Sequence, residues 1–164
     1  MRGAIGFSAR SNPLSWLIRW ATRSEWSHVF IVLSKEIGPT ARILHASGFS
    51  VHESDLEPYL QPGAKVAIYQ VGGTEEQVEK AIGYAQGFEG ESYGWFQLLT
   101  FIPALLFRGI RNPSSKGVVC SELAWRYANA LNLPGIAMLD RDTVSPGQMF
   151  QFFGERGAVK VYPK

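Results

Sequence analysis

What most limits the fold of this chain is a series of short β-prone runs in its first half, each closed by a turn signal. "AIGFS", "EWSHVFIVL", "ARILHAS", "GFSVHES" and "AKVAIYQV" are rich in β-branched and aromatic residues, and runs of that kind bounded by Gly, Pro, Asn and Ser read as strands. The turn-like "SKEIGP" between the second and third predicts a hairpin, and the Pro/Gly-bearing "LEPYLQPG" separates the fourth from the fifth. A β-sheet is therefore expected across the first half of the chain.

Helical patterns surround these runs. "NPLSWLIRWATRS" sets Leu14, Leu17, Ile18 and Ala21 at helical spacing after an Asn12–Pro13 start signal. "TEEQVEKAIGYAQGF" opens with Thr74 and Gln77 in capping-box spacing and carries Val78, Ala81, Ile82 and Ala85 along one face. "KGVVCSELAWRYANALNLP" predicts a third helix, with Leu123, Ala124, Tyr127 and Leu131 at core spacing and Asn132 and Pro134 to stop it. "SPGQMFQFF" suggests a last short helix and "AVKVY" a last strand. The expected class is α+β, arranged as a single domain over residues 1–164; a chain of this length with 46% hydrophobic residues can bury a real core.

Composition removes several functions. Sixteen basic against fourteen acidic side chains leave a net charge of +2, scattered rather than blocked, which argues against a nucleic-acid partner. No apolar run of signal-peptide length opens the chain, so the expected location is cytoplasmic as synthesised, with any delivery to a cell wall by another route. "GWFQLLTFIPALLFRG" is shorter than the ~20 residues of a spanning helix and carries Pro103; it reads as core or cleft wall in preference to a membrane contact. No phosphate loop or dinucleotide fingerprint is present, and three histidines with one cysteine lack zinc-site spacing, so neither cofactor nor metal is expected.

The chemistry centres on Cys120, the one cysteine, which cannot form an intrachain disulfide. It falls in the first turn of its helix, where free N–H groups and the helix dipole favour a thiolate. Position alone is equally compatible with an inert core thiol. The histidines shift the balance. With six connecting residues, Ser34 to Pro39, hairpin partners sum to 73 and His28 faces His45. One imidazole can then take the thiol proton while the other orients it. His52 is read as strand surface, and as the rival orienter if the register differs.

"SHVFIVL", then "ILHAS" followed by a glycine and a strand, resembles the histidine hairpin of NlpC/P60 cysteine peptidases, and "VVCSELAW" resembles their nucleophile helix. Histidines come first and the cysteine last, which is similar to the circularly permuted branch of that papain-like superfamily. The resemblance implies a papain-like α+β domain with the Cys120 helix packed on a mostly antiparallel sheet, with Cys120 as nucleophile, His28 as base and His45 as third member, and it assigns Tyr93 of "SYGW" to oxyanion binding. It departs in two places: Val119 replaces the usual Asp before the cysteine, and permuted relatives often have Glu where His45 stands.

The expected function is a cysteine hydrolase of papain-like fold that cleaves an amide or peptide bond, in peptidoglycan, through a thioester. The alternatives are a lipid acyl hydrolase or acyltransferase of the lecithin:retinol acyltransferase type, and a non-catalytic binding module. A thiol redox sensor ranks last, since no resolving cysteine exists in the chain.

Overall fold

The computed structural model describes residues 1–94, 117–155 and 158–162. Six antiparallel strands form one sheet: β1 (Ile5–Ala9), β2 (His28–Val32), β3 (Arg42–Ser47), β4 (Ser50–Asp55), β5 (Lys65–Gln70) and β6 (Val159–Tyr162), in the order β4-β3-β2-β1-β5-β6. Four described helices accompany it: α1 (Pro13–Thr22), α2 (Glu75–Gln86), α3 (Cys120–Ala130) and α4 (Pro146–Glu155). The α+β class, the antiparallel sheet, its six strands and the four α-helices match the sequence patterns, whereas the short 3-10 helices Glu57–Tyr59 and Ile136–Met138 had no pattern to announce them. The segment from Trp95 to Phe107, expected as a cleft wall, lies outside the described residues.

Strand alternation divides the core in two. One face of the sheet, through Ile5, Phe7, Val29, Ile31, Leu44, Ala46 and Tyr69, packs against the helices. The other, through Phe30, Val32, Ile43 and Ile68, lies under Leu56 and Tyr59 around the short 3-10 helix Glu57–Tyr59. The predicted α2 face of Val78, Ala81, Ile82 and Ala85 is the buried one, and Thr74 closes the capping box with Gln77. On α3, Leu123, Ala124, Tyr127 and Leu131 are all buried.

Two expectations are corrected. On α1 the buried residues are Ser15 and Ile18, whereas Leu14 is exposed and Trp16 and Trp20 are 59% and 54% exposed. Polar contacts set this orientation: Asn12 caps the helix through Ser15 N–H, and Ser15 Oγ meets Ser27 Oγ at 2.6 Å. In the β2–β3 hairpin the partners are Ile31 with Leu44 and Val32 with Ile43, so they sum to 75 rather than 73. The connection runs for nine residues, Leu33 to Ala41, because β3 starts only at Arg42, whose N–H is taken by the Ser34 hydroxyl at 2.8 Å. The shift is even, so no side chain changes face.

Candidate active site

The register shift removes His28 from the place directly opposite His45 and makes the pair diagonal on the same face, still within reach of long or aromatic side chains. The two rings meet: His28 Nε2 lies 3.0 Å from His45 Nδ1. His45 is buried and tied from three sides, with Tyr59 Oη 2.9 Å from Nδ1 and Ser54 Oγ 3.0 Å from Nε2. The Ser54 hydroxyl has an acceptor in the Asp55 carbonyl oxygen at 3.4 Å, which leaves its lone pairs for a proton on His45 Nε2. In that tautomer the one lone pair of His45 Nδ1 is shared between His28 Nε2–H and the Tyr59 hydroxyl, and the free lone pair of His28 is on Nδ1.

His52 stands directly across from His45 in the β3–β4 ladder, ring centroids 4.7 Å apart. Its Nδ1–H donates to the Ser50 carbonyl of its own strand at 3.1 Å, and it makes no hydrogen bond to His45. It has the bystander geometry expected of strand surface.

Cys120 opens α3, which packs across β2 and β3. The backbone N–H groups of Val29, Ser121 and Cys120 itself lie near enough to its sulfur to favour the thiolate. Strand geometry explains why Val29 is available. Val32 donates to the carbonyl of Ala4, the residue just before β1, so by alternation the N–H groups of Val29 and Ile31 point toward β3. The β2–β3 ladder ends at Ile31–Leu44, leaving the Val29 N–H without a strand partner on that side. The nucleophile candidate thus sits at the opening of the hairpin, against the residue that follows His28. Among the described residues no hydrogen bond joins Cys120 Sγ to either ring.

Burial governs the charge states. It pushes the Cys120 thiol up to about 11, outweighing the three backbone N–H groups that act the other way. His28 is pushed down to about 4 by desolvation first, then by Arg10 and His52. His45 is pushed down to about 2, again by desolvation first and then by the two neighbouring histidines. The sequence reading of a helix terminus that favours thiolate is therefore corrected: desolvation wins, and the resting pair is a neutral thiol with neutral imidazoles.

Tyr93 is buried and lines a cleft of about 130 Å³ together with His28, Tyr59, Ser8, Arg10 and Leu14. Residues 92–94 run beside 117–118: Val118 N–H donates to Ser92 at 3.0 Å and Gly94 N–H to Val118 at 3.3 Å. This fixes Tyr93 two residues upstream of the Cys120 helix in space. Gly117 has φ of +131°, and a Cβ there would lie 2.8 Å from Gly94 Cα and Ser92 O, so the close approach requires glycine. Burial raises the Tyr93 and Tyr59 hydroxyls well above the usual phenol range, keeping both as donors.

No family model and no curated protein matches the chain. Among solved structures it is similar to the metalloprotein yiiX from Escherichia coli O157:H7, a DUF1105 protein, with 24% identity and a TM-score of 0.59 over 81% of this chain and 67% of that one. At that identity the likeness extends to the fold alone. Among the described residues no group of three His, Cys, Asp or Glu side chains is arranged to hold a metal ion, and no helix is long and apolar enough to cross a membrane.

Sequence reasoning missed Tyr59, whose ring lies against His28 and whose hydroxyl bonds His45, as well as Ser54 and Arg10. Ser54 was open to discovery: it follows His52 by two residues, on the same face. Tyr59 sits in "LEPYLQPG", a segment with no periodicity to report a face.

Proposed function

We propose that the protein is a cysteine-dependent hydrolase of the permuted NlpC/P60, papain-like type, cleaving an amide or peptide bond through a thioester on Cys120. The observation that carries this reading is the bonded His28–His45 pair at the hairpin opening whose Val29 N–H faces the Cys120 sulfur. Two histidines far apart in sequence share a hydrogen bond, and the thiol occupies the helix start packed against the same strand.

In this mechanism the neutral imidazole acts as general base rather than as half of a preformed ion pair. His28 Nδ1 takes the thiol proton as Cys120 Sγ attacks the carbonyl carbon. The Cys120 backbone N–H and the Tyr93 hydroxyl stabilise the oxyanion. His28 then passes the proton to the leaving amine, and water, deprotonated by the same ring, cleaves the thioester. His45 holds the base through Nδ1, and Tyr59 and Ser54 hold His45. Contact between Sγ and His28 tightens only in the substrate complex, as is common for catalytic hydrogen bonds.

The preferred substrate is a peptide bond in peptidoglycan, on the strength of the two-histidine resemblance. One observation favours acyl hydrolysis or transfer on lipid instead: Trp16 and Trp20 stack at 6.3 Å, both exposed, on the helix whose Leu14 and Ile18 line the cleft. Aromatic side chains in that setting suit a lipid interface. Intact-mass and peptide mapping after incubation with wall fragments or lipid esters tests both. An acyl adduct on Cys120, absent from Cys120→Ser, is expected; no adduct with either class, beside a thiol inert to acylating probes, leaves only a binding module.

A further inference from the structure

The cleft beside His28 contains a cation with no counter-charge among the described residues. Arg10 lines it, its guanidinium 5.8 Å from the centre of the Tyr59 ring, and among the described residues no carboxylate pairs with that guanidinium. Among the described arginines Arg2, Arg42, Arg126 and Arg141 have acidic partners while Arg10, Arg19 and Arg23 have none, and of those three it is Arg10 that lines the cleft. The same cleft holds an orphaned hydroxyl. Ser8 is fully buried, its Oγ has no hydrogen-bond partner among the described residues, and it stands directly opposite His28 in the β1–β2 ladder. Its neighbours Ser15 and Ser27 are satisfied by one another and by the Ser8 carbonyl. Buried polar groups left without partners are uncommon and mark a place where a ligand or water completes the network.

We propose that this cleft carries an anion subsite, in which Arg10 and the Ser8 hydroxyl hold a carboxylate or phosphate of the acyl substrate beside the His28 ring. A guanidinium offers a planar fork of donors to either group, and a Ser hydroxyl can add a shorter-range donor on the buried side. An anion held there also offsets the field that Arg10 exerts on His28. The subsite deepens the hydrolase reading by naming the chemistry next to the scissile bond, and it rests on that reading for the word substrate. A carboxylate comes from a peptide such as a wall stem, a phosphate from a lipid headgroup.

Binding in the Cys120→Ala protein tests the subsite without turnover, so its failure is distinct from a failure to form an acyl-enzyme. The probes are two matched pairs: N-acetylglutamate with N-acetylglutamine, and dihexanoyl phosphatidic acid with dihexanoylglycerol, followed by calorimetry and by histidine ring resonances. At least one charged probe should bind where its neutral partner does not, and the pair that responds names the source. Arg10→Gln should weaken that binding by about tenfold or more, Arg10→Lys by less, and Ser8→Ala by a few-fold. Equal binding of charged and neutral probes, binding unchanged by Arg10→Gln, or no binding of either charged probe overturns the subsite.

Discussion

The Tyr59 ring lies parallel to that of His28, with centroids 5.4 Å apart and planes 9° apart, while its hydroxyl reaches past to His45 Nδ1 at 2.9 Å. One side chain thus supports the base by stacking and the orienting histidine by hydrogen bonding. Tyr59→Phe keeps the first and loses the second. It should cost about 0.5–1.5 kcal/mol in chemical denaturation, whereas Tyr59→Ala, which empties the smaller core, should cost about 3–5 kcal/mol. Equal losses would mean that the hydroxyl carries the whole effect.

His45 and His52 separate by function, although they face each other across β3 and β4. His45→Ala removes the partner of His28 and should lower turnover about tenfold to a hundredfold. His52→Ala removes a ring bonded to its own strand and should leave turnover nearly unchanged. Thermal melting controls for folding. An active His45 variant beside an inactive His52 variant would reverse the assignment.

Acid should destabilise the fold beginning near the ordinary histidine range. His28 and His45 have folded values pushed down to about 4 and about 2, below the ~6.5 of an unfolded histidine. Between those limits the unfolded chain binds more protons, so stability is full above ~6.5 and is lost as pH falls toward the folded values. Denaturation midpoints across pH 4–8 check this, and a stability independent of pH would reject neutral buried rings. The same pattern sets activity: kcat/KM should hold its plateau well below pH 6.5, as far as the fold survives.

Alkylation of Cys120 by iodoacetamide should be slow at neutral pH and should climb through pH 9 toward the raised value of about 11. Stability should fall over the same interval, because the unfolded thiol ionises first. Rapid alkylation at pH 7 would mean a thiolate–imidazolium pair and a different resting state.

Gly117→Ala should destabilise by about 1–3 kcal/mol, since its positive φ and the 2.8 Å approach to Gly94 and Ser92 leave no room for a methyl group. Turnover should drop as well, because Tyr93 hangs on the same ladder. An Ala variant with native melting would show that the 92–94 segment yields at no cost.

Local chemistry carried much of this into the sequence. The Thr74–Gln77 box and the periodic apolar face placed α2, and the spacing after Cys120 placed α3, because both depend on residues a turn apart. The shared face of His28 and His45 was legible from strand parity, while their register was not. Loop length decides register, and the loop took in Leu33, Thr40 and Ala41 beyond the turn-like residues. On α1 the apolar pattern pointed to Leu14 and Leu17, but hydroxyl contacts through Ser15 set the rotation. The thiol's charge state was illegible for another reason: helix position is a sequence property, and depth of burial is not.

Val29 and His28 are consecutive residues of β2, one with its N–H toward the sulfur and the other bonded to His45. A single peptide unit fixes their Cα atoms ~3.8 Å apart. Any sliding or twisting of β2 therefore carries the Val29 N–H and the imidazole together, as a common-mode displacement that cancels in their difference. The spacing that matters for proton transfer is a different one, between His28 on β2 and the sulfur on α3, and it is held by the packing of that helix across β2 and β3 rather than by a covalent link.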